Sequence, residues 1–227
     1  MSRGAVFAVA ATLGLAVMGS ATAALADFSA CEAALSVDDP RQQVARYTTC
    51  ISKGGLAIQE RMGAYNNRGI AYGRLGEVDK AFQDFNWAIE SDPHWPTSYI
   101  NRASVYLSRG DVAKALADFD MAIKVSRGRM SLPAYKTEAH ILATFQDPAF
   151  RDGPKAVRLA KEAVSFEDSA STHDTLAAAY AEAGQFDDAV KEQTKALALA
   201  RSKLSADQAA AYQARLDLYQ KGAPDRE

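Results

Sequence analysis

The strongest constraint on this chain is a passage that occurs twice. "YNNRGIAYGRLGEVDKAFQDFNWAIESDP" begins at Tyr65, and "YINRASVYLSRGDVAKALADFDMAIKV" begins thirty-four residues later, at Tyr99. Tyr65, Gly69 and Tyr72 are spaced four and three apart, the spacing of one helix face. Gly76 ends that helix, because glycine accepts the left-handed conformation of a helix stop. A second helix over 79–90 puts Ala81, Phe85, Ala88 and Ile89 on its apolar face, and Pro93 stops it. The copy repeats this with Tyr99, Ala103, Tyr106, Gly110, Ala115, Phe119, Ala122 and Ile123. One helix pair leaves an apolar face bare, and the next pair covers it, so such units come in rows.

A helical pair of 34 residues with an aromatic, a small residue, Tyr, Gly, Ala, an aromatic, Ala and Pro in that order resembles the tetratricopeptide repeat. Residues 62–95 and 96–129 match well, with Arg127 where Pro is usual. A fourth copy over 170–203 keeps Ala177, Tyr180, Gly184, Ala189 and Ala196, and puts Gln193 in the aromatic position. The third, over 130–169, is divergent: Tyr135, Ala139 and Leu142 start it, and the turn "QDPAFRDGP" is longer than normal. Residues 27–61 resemble the degenerate leading hairpin of exported bacterial members, and 204–227 read as a capping helix, opened by Ser205, and a frayed tail. The resemblance implies an all-α fold, a right-handed superhelical solenoid of antiparallel helix pairs with a C-terminal capping helix.

The first 26 residues carry one charge, Arg3, then an apolar run and small residues ending in Ala24-Leu25-Ala26. That order reads as a signal peptide cleaved near Ala26, giving a periplasmic or secreted protein. The alternative is a retained membrane anchor, since the apolar stretch approaches the ~20 residues of a spanning helix. Cys31 and Cys50 stand on either side of the Asp38-Asp39-Pro40 turn, nine residues before Pro40 and ten after it. In an exported chain they read as a disulfide, against an alternative of two buried thiols.

Three observations bear on function. The formal net charge is -2, which suggests neither nucleic acid nor an anionic membrane as partner. His94, His140 and His173 fall in different repeats without metal-ligand spacing, and no nucleophile elbow or phosphate loop occurs. The chain therefore reads as no enzyme, with no cofactor and no metal. In the family the first helices line the concave face. Carried over by register, that groove receives Asn66, Asn67, Ile70 and Arg74, then Asn101 and Ser104, then Lys136 and His140, then Asp174 and Glu182. Asn offers both donor and acceptor to a peptide backbone. The resemblance implies a scaffold or adaptor holding a protein or peptide partner, with no membrane span after signal cleavage. The alternative is a periplasmic small-ligand binder with a pocket near Lys136 and His140.

Overall fold

A computed structural model describes Cys31, Ala34 and residues 36–126, 128–200 and 206–226. The signal segment and the Ser205 cap lie outside the described residues. Among those residues the structure is all-α, without strands. It divides into two compact units, one ending at Ser126 and the other beginning at Arg127.

The first unit holds α1 (Pro40–Lys53), α2 (Ile58–Arg74), α3 (Val78–Ser91), α4 (Pro96–Ser108) and α5 (Val112–Val125). Asp39 caps α1 by accepting from the Arg41 N–H, and Pro40 occupies the first turn, where its missing N–H costs nothing. Each later helix packs on the one before it. Gly76 and Gly110 have φ +75° and +80°, and the residue after each donates to the carbonyl of Tyr72 or Tyr106 at 2.9 Å. Only glycine takes that conformation without strain, so the same residue makes the same turn in both copies. Ala81, Phe85 and Val105 form a core between the copies, joined by Ile70 and Tyr72. A Cβ on Gly69 would stand 2.7 Å from the Phe85 ring, so α2 and α3 can approach this closely only over a glycine.

Cys31 and Cys50 lie at disulfide distance, with Cα atoms 5.5 Å apart. Around them Ala34, Tyr47, Leu56 and Ala64 form a small separate core.

The second unit holds α6 (Leu132–Thr144), α7 (Gly153–Phe166), α8 (Ala170–Glu182), α9 (Phe186–Ala200) and α10 (Ala206–Gln220). Its helices approach over alanine: Ala139, Ala156, Ala160, Ala163, Ala177, Ala189 and Ala196 are all fully buried. The first helices α6 and α8 pack directly on each other, and α10 packs on α9. Among the described residues, no helix is long and apolar enough to cross a membrane.

Candidate partner-binding surface

In each of the four repeats a pair of polar side chains bridges the first helix to the second, and those bridges take up polar groups that would otherwise serve a partner. Arg68 on α2 meets Asp84 on α3 through two bonds, 2.8 and 2.7 Å. Arg102 on α4 meets Asp118 on α5 with the same two distances. A planar guanidinium on a carboxylate gives this two-bond geometry, which fixes the rotation of one helix against the other. Burial pushes the Asp84 carboxyl up, and the bond to Arg68 opposes that. Both arginines also lie over aromatic rings: Arg68 over Tyr65 at 5.0 Å and Tyr72 at 5.7 Å, Arg102 over Tyr99 at 5.7 Å. Tyr65 stacks on Trp87 at 3.9 Å, so that tryptophan packs within its own repeat.

In the second unit the same places are filled differently. Glu138, fully buried, occupies the register position of Arg68 and Arg102 and meets Lys155 on α7 at 2.6 Å, while Leu159 stands where Asp84 and Asp118 stand. In the fourth repeat Leu176 takes the arginine's place, and Glu192 stands where Asp84 and Asp118 stand. Its partner comes from one helical turn earlier: His173 Nδ1 lies 2.6 Å from Glu192. Neither exchange is visible from a motif search. Aligning the four copies column by column shows Glu138, Leu176 and Glu192 in those places, but not the partners Lys155 and His173, which come from other columns.

Most of the residues expected to face a partner are already bonded within the protein. Asn66 and Asn101 are buried, 4% and 8% exposed, and Asn101 donates to Asn66 at 2.7 Å, locking α2 to α4. Asn66 in turn donates to Asn67. Asn67 is half-buried and bonds the hydroxyl of Tyr47, which burial pushes up despite that bond. Arg74 reaches back to the leading hairpin, to the Gln43 side chain and the Asp38 carbonyl. Ser104 returns its hydroxyl to the Ile100 carbonyl, and Ile70 joins the core.

In the second unit, Lys136 and His140 are half-buried on α6, one turn apart. Asp174 on α8 feels the His140 charge and accepts two bonds from Arg215 of α10 and one from Gln193. Burial pushes the Asp174 carboxyl up, and Arg215 is the largest opposing influence. Glu182 lies between Arg151 at 3.1 Å and Arg226 at 2.6 Å.

Three features escaped the sequence reading. Gln193 is fully buried, and its amide donates to Asp174 and to the Tyr212 carbonyl. Gly153 at the start of α7 faces backbone: a Cβ there would lie 2.8 Å from the Ala183 nitrogen. The stretch after α10 is not frayed. Gly222 and Ala223 donate into the last turn of α10, and Arg226 bonds the Ala143 carbonyl as well as meeting Glu182. The long third-repeat turn is likewise ordered by Arg151, which donates to the carbonyls of Phe145 and Gln146.

This arrangement defines a class: helix pairs repeated in sequence and, within each unit, packed on one another. Within that class, one family model, described as the tetratricopeptide repeat, matches residues 63–94, and another of the same description matches residues 169–210. Solved structures agree in fold. A tetratricopeptide repeat protein from Parabacteroides merdae ATCC 43184 gives a TM-score of 0.66 at 15% identity, over 87% of this chain and 75% of that one. A thermophilic protein of the same repeat from Thermus thermophilus gives 0.58 at 15% identity, over 86% and 99%. MamA gives 0.58 at 17% identity, over 73% and 91%. No curated protein matches the chain. The chain thus has two segments that match tetratricopeptide-repeat models and shares its fold with solved structures of that repeat.

Proposed function

We propose that this protein is a non-catalytic scaffold or adaptor of the bacterial cell envelope, exported by residues 1–26, which holds a segment of a partner protein along its first helices. The tetratricopeptide fold supports a protein-interaction role in general. One observation favours the second unit as the working face. The first helices α6 and α8 pack side by side, with Lys136 and His140 half-buried on one and Asp174 on the other. A face with both signs of charge gives a partner register and specificity more than raw affinity. In the first unit Asn66 and Asn101 already serve each other, and Asn67 and Ser104 are bonded within their own unit.

Co-purification from the periplasmic fraction tests this. The full chain should retain one protein in stoichiometric amount, and Lys136→Ala with His140→Ala should lose it without loss of helicity. Undiminished capture by the double variant refutes the assignment of the face. Intact Met1–Ala26 on protein from a cytoplasmic fraction refutes export, independently of the first result.

A further inference from the structure

His173 is 3% exposed and lies between two carboxylates. Nδ1 is 2.6 Å from Glu192 Oε2 on α9, and Nε2 is 2.6 Å from Asp168 Oδ1 in the turn before α8. An ionised carboxylate only accepts hydrogen bonds. The ring can therefore satisfy both partners only when both nitrogens carry protons, as imidazolium. A neutral ring turns one lone pair toward a carboxylate at the same distance, and that contact is repulsive.

The surroundings leave this histidine as the cation shared by both acids. On α9 the other nearby charge is Lys195, which meets Asp168 at 3.1 Å. On α6, Glu138 is taken by Lys155 of α7. Lys161 of α7 lies over the Tyr180 ring. On α10, Arg215 is taken by Asp174. The Asp168 carboxyl is held below its ordinary value, first by its bond to His173 and then by Lys195.

We propose that His173 is a proton-operated clamp that fastens the turn before α8 and the helix α9 to one another. Charged, the ring donates to Asp168 and Glu192 together. Neutral, it keeps its proton on the side of Glu192, whose side chain is 17% exposed and has little water to turn to. Asp168, 65% exposed, then lets go and is left to Lys195 and solvent. The start of α8 loosens, while its Ser169–Thr172 cap remains. The sign follows from the charge. The charged ring donates both bonds and the neutral ring only one, so the bond to Asp168 belongs to the charged form. The bridges at Arg68 and Arg102 stay charged throughout, because guanidinium does not titrate in this range. The first unit is thus an internal control.

This inference does not rest on the partner-binding reading and is tested on the full chain alone. Amide exchange, corrected for intrinsic rates, is followed from about pH 5.5 to about pH 8, where imidazoles ordinarily change charge. Protection over the first turns of α8 should fall about tenfold, the scale of one lost hydrogen bond to a charged group, while amides of α2 to α5 change little. Glu192→Gln lets a neutral ring find both a donor and an acceptor, so this variant should fold and lose most of the pH dependence. His173→Gln should also lose it, at lower protection throughout. Equal pH dependence in the two units overturns the proposal, and so does wild-type pH dependence in Glu192→Gln.

Discussion

The two compact units solve one problem with different chemistry. Both must hold a first helix against a second, and both place an ion pair across the contact. In the first unit the cation is arginine at the same column twice, and its fork fixes angle as well as distance. In the second unit the third repeat puts an acid, Glu138, in the arginine's column and pairs it with a lysine from a different column, and the fourth uses a histidine from a different column. The apolar contacts differ in parallel. Both units bury alanines, but Phe85 and Phe119 stand in the first unit where the second has Ala160 and Gln193. What the repeats share is the requirement for a bridge, and the residue supplying it is free to change.

The largest expected effect breaks the first unit's bridge. Arg102→Ala leaves Asp118, 5% exposed, without its cation. The cost should be roughly 3 kcal/mol, the low end for breaking a buried pair. Trp87 and Trp95 both lie in the first unit, so tryptophan fluorescence should report the loss at lower denaturant than before. Replacing both partners, Arg102→Met with Asp118→Leu, should recover most of it, since two apolar groups leave no stranded charge. Failure to recover would mean that the pair supplies geometry that packing cannot replace.

Next comes the close packing of the second unit. Gly153→Ala sets a methyl against the backbone of Ala183, which cannot rotate away as a side chain can. A cost of about 1–3 kcal/mol is expected, read by calorimetry. Gly69→Ala in the first unit meets the edge of the Phe85 ring instead. Should the ring shift, Gly69→Ala will cost less than Gly153→Ala, and the reverse order would refute the contrast between aromatic and backbone contacts.

A smaller effect concerns the stretch after α10. Arg226→Ala removes a partly exposed contact to Glu182, which keeps Arg151. Stability should change by less than about 1 kcal/mol, yet amides near Gly222 and Ala223 should exchange faster. The smallest effect is in pH dependence. Burial holds the Asp174 carboxyl above its ordinary value. Its contribution is therefore fully present below the ordinary carboxyl pKa, about 3.9, and is lost as pH rises through its folded value. Asp174→Asn should flatten that part of the stability curve, measured by denaturant midpoints across acidic pH, and an unchanged curve would refute the raised value.

The sequence by itself determined the repeating helix pair. Its cues are local: a four-and-three spacing makes a helix face, and a glycine in left-handed conformation or a proline ends it. Asp39-Pro40, Gly76 and Gly110 act within a turn of chain, so reading them needs no partner from elsewhere. Only the tertiary structure decided which polar side chains are free. Asn66, Asn67 and Asn101 look alike in sequence, but Asn66 and Asn101 face each other across a helix contact. Arg226 looks like the end of a loose tail, but it meets Glu182 more than forty positions away. Periodicity says which face of a helix is polar. Whether a polar atom on that face meets water or another helix depends on the distance between two backbones, and that distance is set by the packing of Phe85, Gly153 and the buried alanines.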